Sequence, residues 1–151
     1  MKQEVTPLKE EVSNQKLIDK LPMKGRIVKE EKNGKFGSTV WTLSNGTKVI
    51  LKKTDYKDDE ILLTGTRPGG SFNFSKPAPL DLKVLNMVND LGGLGKFDDS
   101  ALEKALAGRI ASAGLSVSEL TDDVSGSTTK EDLETMLQLL YLNFTARRSD
   151  K

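Results

Sequence analysis

The sequence predicts an α+β fold: an antiparallel sheet with helices packed on one face, in the order β-β-β-α-α-β-β-α. Three observations carry that expectation. Asn45-Gly46 stands between two runs rich in β-forming residues. Near the C-terminus, apolar residues recur at the spacing of a single helix face. Between these two features, short apolar stretches are punctuated by glycine and proline, as in a chain that turns often.

Taken in order, residues 1–35 read as a charged arm or linker, dense in Lys and Glu and short of apolar residues. Within it, Val12, Leu17, Ile18 and Leu21 suffice for one weak amphipathic turn before Pro22, and KEEKNGK reads as solvated. Order is expected from about Ser38, so residues 36–151 form the folded domain. STVWTL and TKVILKK flank Asn45-Gly46 and predict strands over 38–44 and 47–53, joined by a turn with both central residues at φ > 0. KTDYKDDE is a polar turn, and EILLTGT predicts a third strand over 60–66. Arg67-Pro68-Gly69-Gly70 ends it, since proline cannot donate to a ladder. After a loop over 71–79, LDLKVLNMVNDL places Leu80, Val84, Leu85, Val88 and Leu91 on one helical face, and Gly92-Gly93 stop that helix.

Ser100-x-x-Glu103 has the spacing of a capping box, with Asp98 and Asp99 favourable at the positive end of the helix dipole. ALEKALA is the helix, and Gly108 closes it. RIASAGLSV and ELTDDVSGST read as two strands rich in serine and threonine. The last helix is the clearest, with Leu133, Met136, Leu137, Leu140, Tyr141 and Phe144 on one stripe and Thr128-x-x-Glu131 as its capping box.

Composition excludes several classes of function. Lys+Arg number 23 against 22 Asp+Glu, so no overall field draws the chain to nucleic acid or to an anionic membrane. No stretch is long and apolar enough to span a bilayer, and MKQEVTPLKEEV lacks the apolar run of a signal peptide. The chain has no cysteine and no histidine. Thiolate nucleophiles, Ser-His and Cys-His pairs, and the usual nitrogen and sulfur ligands of zinc are therefore all missing. Chemistry carried by this chain alone would rest on carboxylates, lysines or hydroxyls.

Three kinds of motif bear on that limit. LGGLGKF (91–97) resembles a phosphate cradle, but Phe97 follows Gly95-Lys96 where a Walker loop needs Ser or Thr, and the element before it reads as a helix. It is expected to be a helix–helix joint. The acidic pairs Asp58-Asp59, Asp98-Asp99 and Asp122-Asp123 fall in a turn, at a helix start and near a hairpin tip, where acids are ordinary. Ser13-x-x-Lys16 and Ser127-x-x-Lys130 have the serine–lysine spacing of an acyl-transferase without its companion motifs.

Two longer stretches carry a resemblance. WTLSNGTKVILKKTDYKDDEILLTGTRPGGS, followed by GLGKFDDSALEKALAGRIASAGLSVSELTDDVSGSTTKEDLETMLQLLYLNFTARR, is similar to the insulinase/pitrilysin-type zinc metallopeptidases, relatives of mitochondrial processing peptidase. Such enzymes consist of two similar halves, and the resemblance implies zinc on a helix with H-x-x-E-H in the first. Here the corresponding positions hold Val84, Leu85, Asn86, Met87 and Val88. The resemblance therefore implies part of the second, non-catalytic half, preceded by the linker that joins the halves. It implies no catalytic and no metal-binding residue in this chain, and zinc in the other half of a longer, exported or periplasmic parent. The expected partners are that catalytic half and a peptide substrate. Family domains continue beyond the FTARR helix, so the stripe Leu133, Met136, Leu137, Leu140, Tyr141 and Phe144 is expected to lack part of its cover and to self-associate. The alternative is a stand-alone module that takes an extended peptide on a sheet edge.

Overall fold

A computed structural model describes residues 16–73 and 92–148, which fall into two units, Lys20–Asp59 and the rest. The helix expected over 80–91 lies outside the described residues, as does most of the 71–79 loop. The architecture is α+β with antiparallel sheets, but the strands divide between two three-stranded sheets where one was expected.

The smaller unit is a meander of β1 (Ile27–Asn33), β2 (Ser38–Leu43) and β3 (Lys48–Lys52), in that spatial order. Strand β1 lies within the residues read as a charged arm or linker, so regular structure begins before the expected start near Ser38. IVKEEKN shows no alternation because six of its seven residues are exposed, so neither face needed to be apolar. Its lysines and glutamates suit an edge strand, where charge discourages pairing with another chain. The Glu30 carboxylate accepts the Trp41 indole N–H at 2.8 Å across the β1–β2 pair.

The Asn45-Gly46 hairpin forms, with a different turn from the one expected. Only Gly46 has positive φ, at 86°. The Gly46 N–H donates to the Leu43 carbonyl at 2.9 Å and the Leu43 N–H to the Thr47 carbonyl at 2.8 Å. This is the three-residue connection, a tight turn followed by a left-handed glycine that forms a bulge. The Asn45 side chain accepts the Thr47 N–H at 3.1 Å and keeps Asn45 out of the left-handed region.

The larger unit holds β4 (Ile61–Pro68), α1 (Asp99–Leu106), β5 (Ala111–Val117), β6 (Thr121–Thr128) and α2 (Leu133–Thr145). The sheet order is β4-β6-β5, all antiparallel. Ala111, Ala113, Gly126 and Thr128 lie on one face by register, and α2 covers them. Gly126 is what lets the helix close in: a Cβ there would stand 2.9 Å from the Met136 sulfur. Met136 is 1% exposed and Thr128 equally so. Leu17, Leu94, Phe97, Ala105, Leu139 and Leu142 complete the core, with Ala111 and Ala113 packed against it. Leu17, expected on a weak amphipathic turn of the arm, is a core residue.

Both expected capping boxes are replaced. Asp98 caps α1, its carboxylate accepting the Ala101 N–H at 2.8 Å, and Ser100 falls inside the helix. Gly108 closes α1 at φ 78° as expected. Before α2, Thr128 belongs to β6 and its hydroxyl donates to the Ile110 carbonyl at 2.9 Å. The Thr129 hydroxyl accepts the Asp132 N–H at 3.3 Å, while the Asp132 carboxylate accepts the Ile110 N–H at 2.7 Å and ties α2 to β5.

Candidate functional site

The sequence singled out acidic pairs, a glycine-rich run and two serine–lysine spacings, and the structure scatters them. Asp122 and Asp123, adjacent on β6, point to opposite sides of the sheet and cannot act as one acid/base pair. The Asp122 carboxylate accepts the Gly70 N–H at 3.0 Å and lies 2.8 Å from an Arg67 guanidinium nitrogen, and these contacts hold its pKa below the ordinary carboxylate value. Asp123 is lowered too, by hydroxyls of Thr66, Thr121 and Ser118. Together they fasten the end of β4 and the β5–β6 turn. Sequence reading missed this latch because Arg67 and Asp122 face each other only once the register is known. Asp98 is a helix cap, and Asp58 and Asp59 lie exposed in the smaller unit.

The glycine-rich run is a tight turn that leads into α1. Gly95 has φ 59° and its N–H donates to the Ala146 carbonyl at 2.7 Å. A Cβ at Gly93 would collide with the Phe97 carbonyl. The Gly95 and Phe97 amides are spent within the protein, and Leu94 and Phe97 go to the core, which argues against a phosphate cradle. Ser127 sits on β6, so the Ser127–Lys130 spacing is not one turn of helix; Ser13 lies outside the described residues.

What the larger unit does present is an open sheet. Its face turned from α2 carries Ser112 opposite Ser127 and Gly114 opposite Ser125. With no side chain larger than a hydroxymethyl group there, a shallow hollow of about 410 Å³ forms, lined by Ser112, Ala113, Gly114, Ser125, Gly126 and Ser127. Beside it runs β5, which pairs with β6 on one side and with no other described strand. The hollow is lined by hydroxyls, an alanine and glycines, with no titratable group. Such a surface can hold a chain by hydrogen bonds and close contact, but it has no base with which to activate a serine.

Zinc does not suit the residues present. The chain has neither His nor Cys, and among the described residues no three carboxylates gather to hold a metal. Among the described residues, no helix is long and apolar enough to cross a membrane.

No protein-family model matches the chain. A zinc protease PQQL-like protein of Arabidopsis thaliana is 30% identical over 146 residues, which cover 93% of this chain and 12% of that protein. The crystal structure of the periplasmic protease PqqL from Escherichia coli superposes with a TM-score of 0.78 at 22% identity, over 91% of this chain and 15% of that one. The ferredoxin protease FusC, a mutant solved with Arabidopsis ferredoxin, matches with a TM-score of 0.73 at 18% identity, over 98% of this chain and 16% of its own. The 151 residues thus span between an eighth and a sixth of the length of these relatives. The chain is thus similar in sequence to part of a zinc protease, and it shares its fold with parts of two further proteases.

Proposed function

We propose that this chain forms non-catalytic wall of the substrate chamber in a longer zinc-dependent metalloendopeptidase, with the zinc held elsewhere in that protein. The observation that carries the reading is the absence of histidine from a chain similar to part of a zinc protease. An H-x-x-E-H helix cannot be built here, so the segment's contribution is shape and contact. An extended peptide lies along the stretch Ala111–Ser116 of β5, on the side where β5 pairs with no other described strand, its backbone continuing the β4-β6-β5 ladder and its side chains alternating over the hollow. The same edge favours the second reading, a stand-alone peptide-binding module.

The first test is the reading frame on either side of the segment. An H-x-x-E-H helix in the same polypeptide supports the chamber reading; start and stop signals enclosing these residues alone overturn it and favour the module. The second is titration of the chain with an unstructured peptide, followed by amide NMR. Shifts are expected along Ala111–Val117, and Gly114→Val, which fills the hollow, is expected to weaken them. Shifts confined to other elements would sink the edge. After dialysis the purified chain is expected to retain no stoichiometric zinc by elemental analysis.

A further inference from the structure

Near-neutrality of the whole chain conceals an uneven distribution of charge. Lys20–Asp59 carries ten Lys and Arg against five Asp and Glu, while the remaining residues carry 13 against 17. The smaller unit is therefore basic, and its sheet concentrates that charge on one edge. By register, Lys29 and Glu31 of β1, Val40 of β2, and Lys48, Ile50 and Lys52 of β3 share one face. On the β1 side the charge cancels, because Lys29 pairs with Glu31 at 2.9 Å. Glu30, on the opposite face, is taken by the Trp41 indole. On the β3 side Lys48 and Lys52 have no ion-pair partner among the described residues. Ile50, midway between them, is 68% exposed.

Strand β3 pairs with β2 and with no other described strand, so its outer backbone groups can take a further strand. A strand added there sets its side chains directly opposite those of β3, with Cβ atoms about 4.5–5.5 Å apart. Lysines four residues apart on a strand stand about 13 Å from one another. An incoming segment with carboxylates at that spacing and an apolar residue midway answers Lys48, Ile50 and Lys52 together. Other occupants fit worse. Two copies of β3 paired antiparallel about Ile50 would set Lys48 against Lys52, and like charges directly opposite destabilise a pair. Lysine on an edge is the usual guard against such pairing, and a strand bearing carboxylates is the one it admits. A polynucleotide can meet the lysines through its phosphates but cannot continue the ladder. The aromatic of these strands, Trp41, lies on the opposite face, so bases find no stacking platform beside Lys48 and Lys52.

We propose that the β3 edge of the smaller unit docks an extended acidic segment of another polypeptide, of the pattern acid-x-apolar-x-acid, against Lys48, Ile50 and Lys52. The site is a different edge from that of β5 and does not depend on the chamber reading. The test titrates the 151-residue chain with the peptide TEVIVET and with its counterpart TKVIVKT, followed by amide NMR. TEVIVET is expected to shift the amides of Lys48–Lys52 and to bind about fivefold or more tightly than TKVIVKT at low salt. In 1 M salt, where the Debye length is about 3 Å, most of that preference should vanish. Lys48→Glu with Lys52→Glu should invert the preference, an outcome that a misfolded variant cannot produce. Equal affinities for the two peptides in the native chain overturn the proposal, as does an acid preference that survives the charge reversal. Shifts confined to Ala111–Val117 overturn it while leaving the β5 edge standing. An oligothymidylate that shifts β3 as strongly as TEVIVET assigns the edge to polyanions at large and overturns it. Shifts along β3 that grow with protein concentration in the absence of peptide assign the edge to a second copy and overturn it too.

Discussion

Replacing Gly126 by alanine tests how closely α2 presses on the sheet. The added Cβ would stand 2.9 Å from the Met136 sulfur, 3.3 Å from its Cγ, and 2.9 Å from the Ser112 carbonyl oxygen. Met136 is 1% exposed and has nowhere to withdraw, and the carbonyl belongs to the neighbouring strand. Overpacking of this kind costs about 1–3 kcal/mol. Against it stands the gain from a less flexible unfolded chain, about 0.4–1 kcal/mol for Gly to Ala. Gly114→Ala carries the same gain with nothing within 4 Å of the new Cβ, so it isolates the clash. Urea unfolding should place Gly126→Ala below Gly114→Ala by about 1–3 kcal/mol, or roughly 2–10 °C in Tm for a chain of this size. Met136→Ala costs about 2–5 kcal/mol alone by opening a cavity. Combined with Gly126→Ala it should cost less than the sum, because the sulfur contact is gone. Equal stability of the two single glycine variants would refute the close packing of α2 on β6.

Three further outcomes are expected. Asp98→Ala should destabilise by about 0.5–2 kcal/mol through loss of the cap on α1, while Ser100→Ala changes stability by no more than about 0.5 kcal/mol, as read by denaturant melts; the reverse order would restore the capping box at Ser100. Asp122 and Asp123 have folded pKa values below their ordinary ones, so their contribution is complete above the ordinary carboxylate range near ~4 and is lost as pH falls through the lower folded values. Asp122→Asn with Asp123→Asn should flatten that acid limb, and an unchanged limb would remove the latch from the account. Finally, the chain should bind a hydrophobic dye through α2 and self-associate only weakly, with Phe144→Ser reducing the dye signal. A compact monomer by sedimentation that binds no dye would contradict the exposed face.

What could be read from sequence divides along physical lines. Turn chemistry located the Asn45-Gly46 hairpin, because glycine at positive φ is a local requirement. It did not select between a two- and a three-residue connection, since that depends on how Leu43 and Thr47 pair. Strand β1 was invisible, because periodicity records burial and this strand is exposed on both faces. The caps failed for a different reason. Ser100-x-x-Glu103 and Thr128-x-x-Glu131 satisfy a spacing rule, but Asp98 lies one turn position better, and Thr128 is held in β6 by the Ile110 carbonyl. The hollow could not be foreseen at all, since its serines and glycines meet only through the β5–β6 register.

In helix α2 the period marks the most apolar stripe, and the sheet covers the one beside it. Leu133, Met136, Leu137, Leu140, Tyr141 and Phe144 do share a stripe, yet the sheet takes the adjacent one, with only Met136 common to both. The choice is made by the sheet. Gly126 and Ala113 offer a shallow floor, and Asn143 can donate there to the Ala113 carbonyl at 3.3 Å while its amide also satisfies the Leu139 carbonyl at 2.9 Å. Thr135, equally polar and buried, is answered by Arg109. A face bearing two such polar residues scores poorly by hydropathy but packs well, because each has its partner inside the unit. The more apolar stripe needs no hydrogen-bond partner except for the Tyr141 hydroxyl, and Leu137, Tyr141 and Phe144 stay exposed on it.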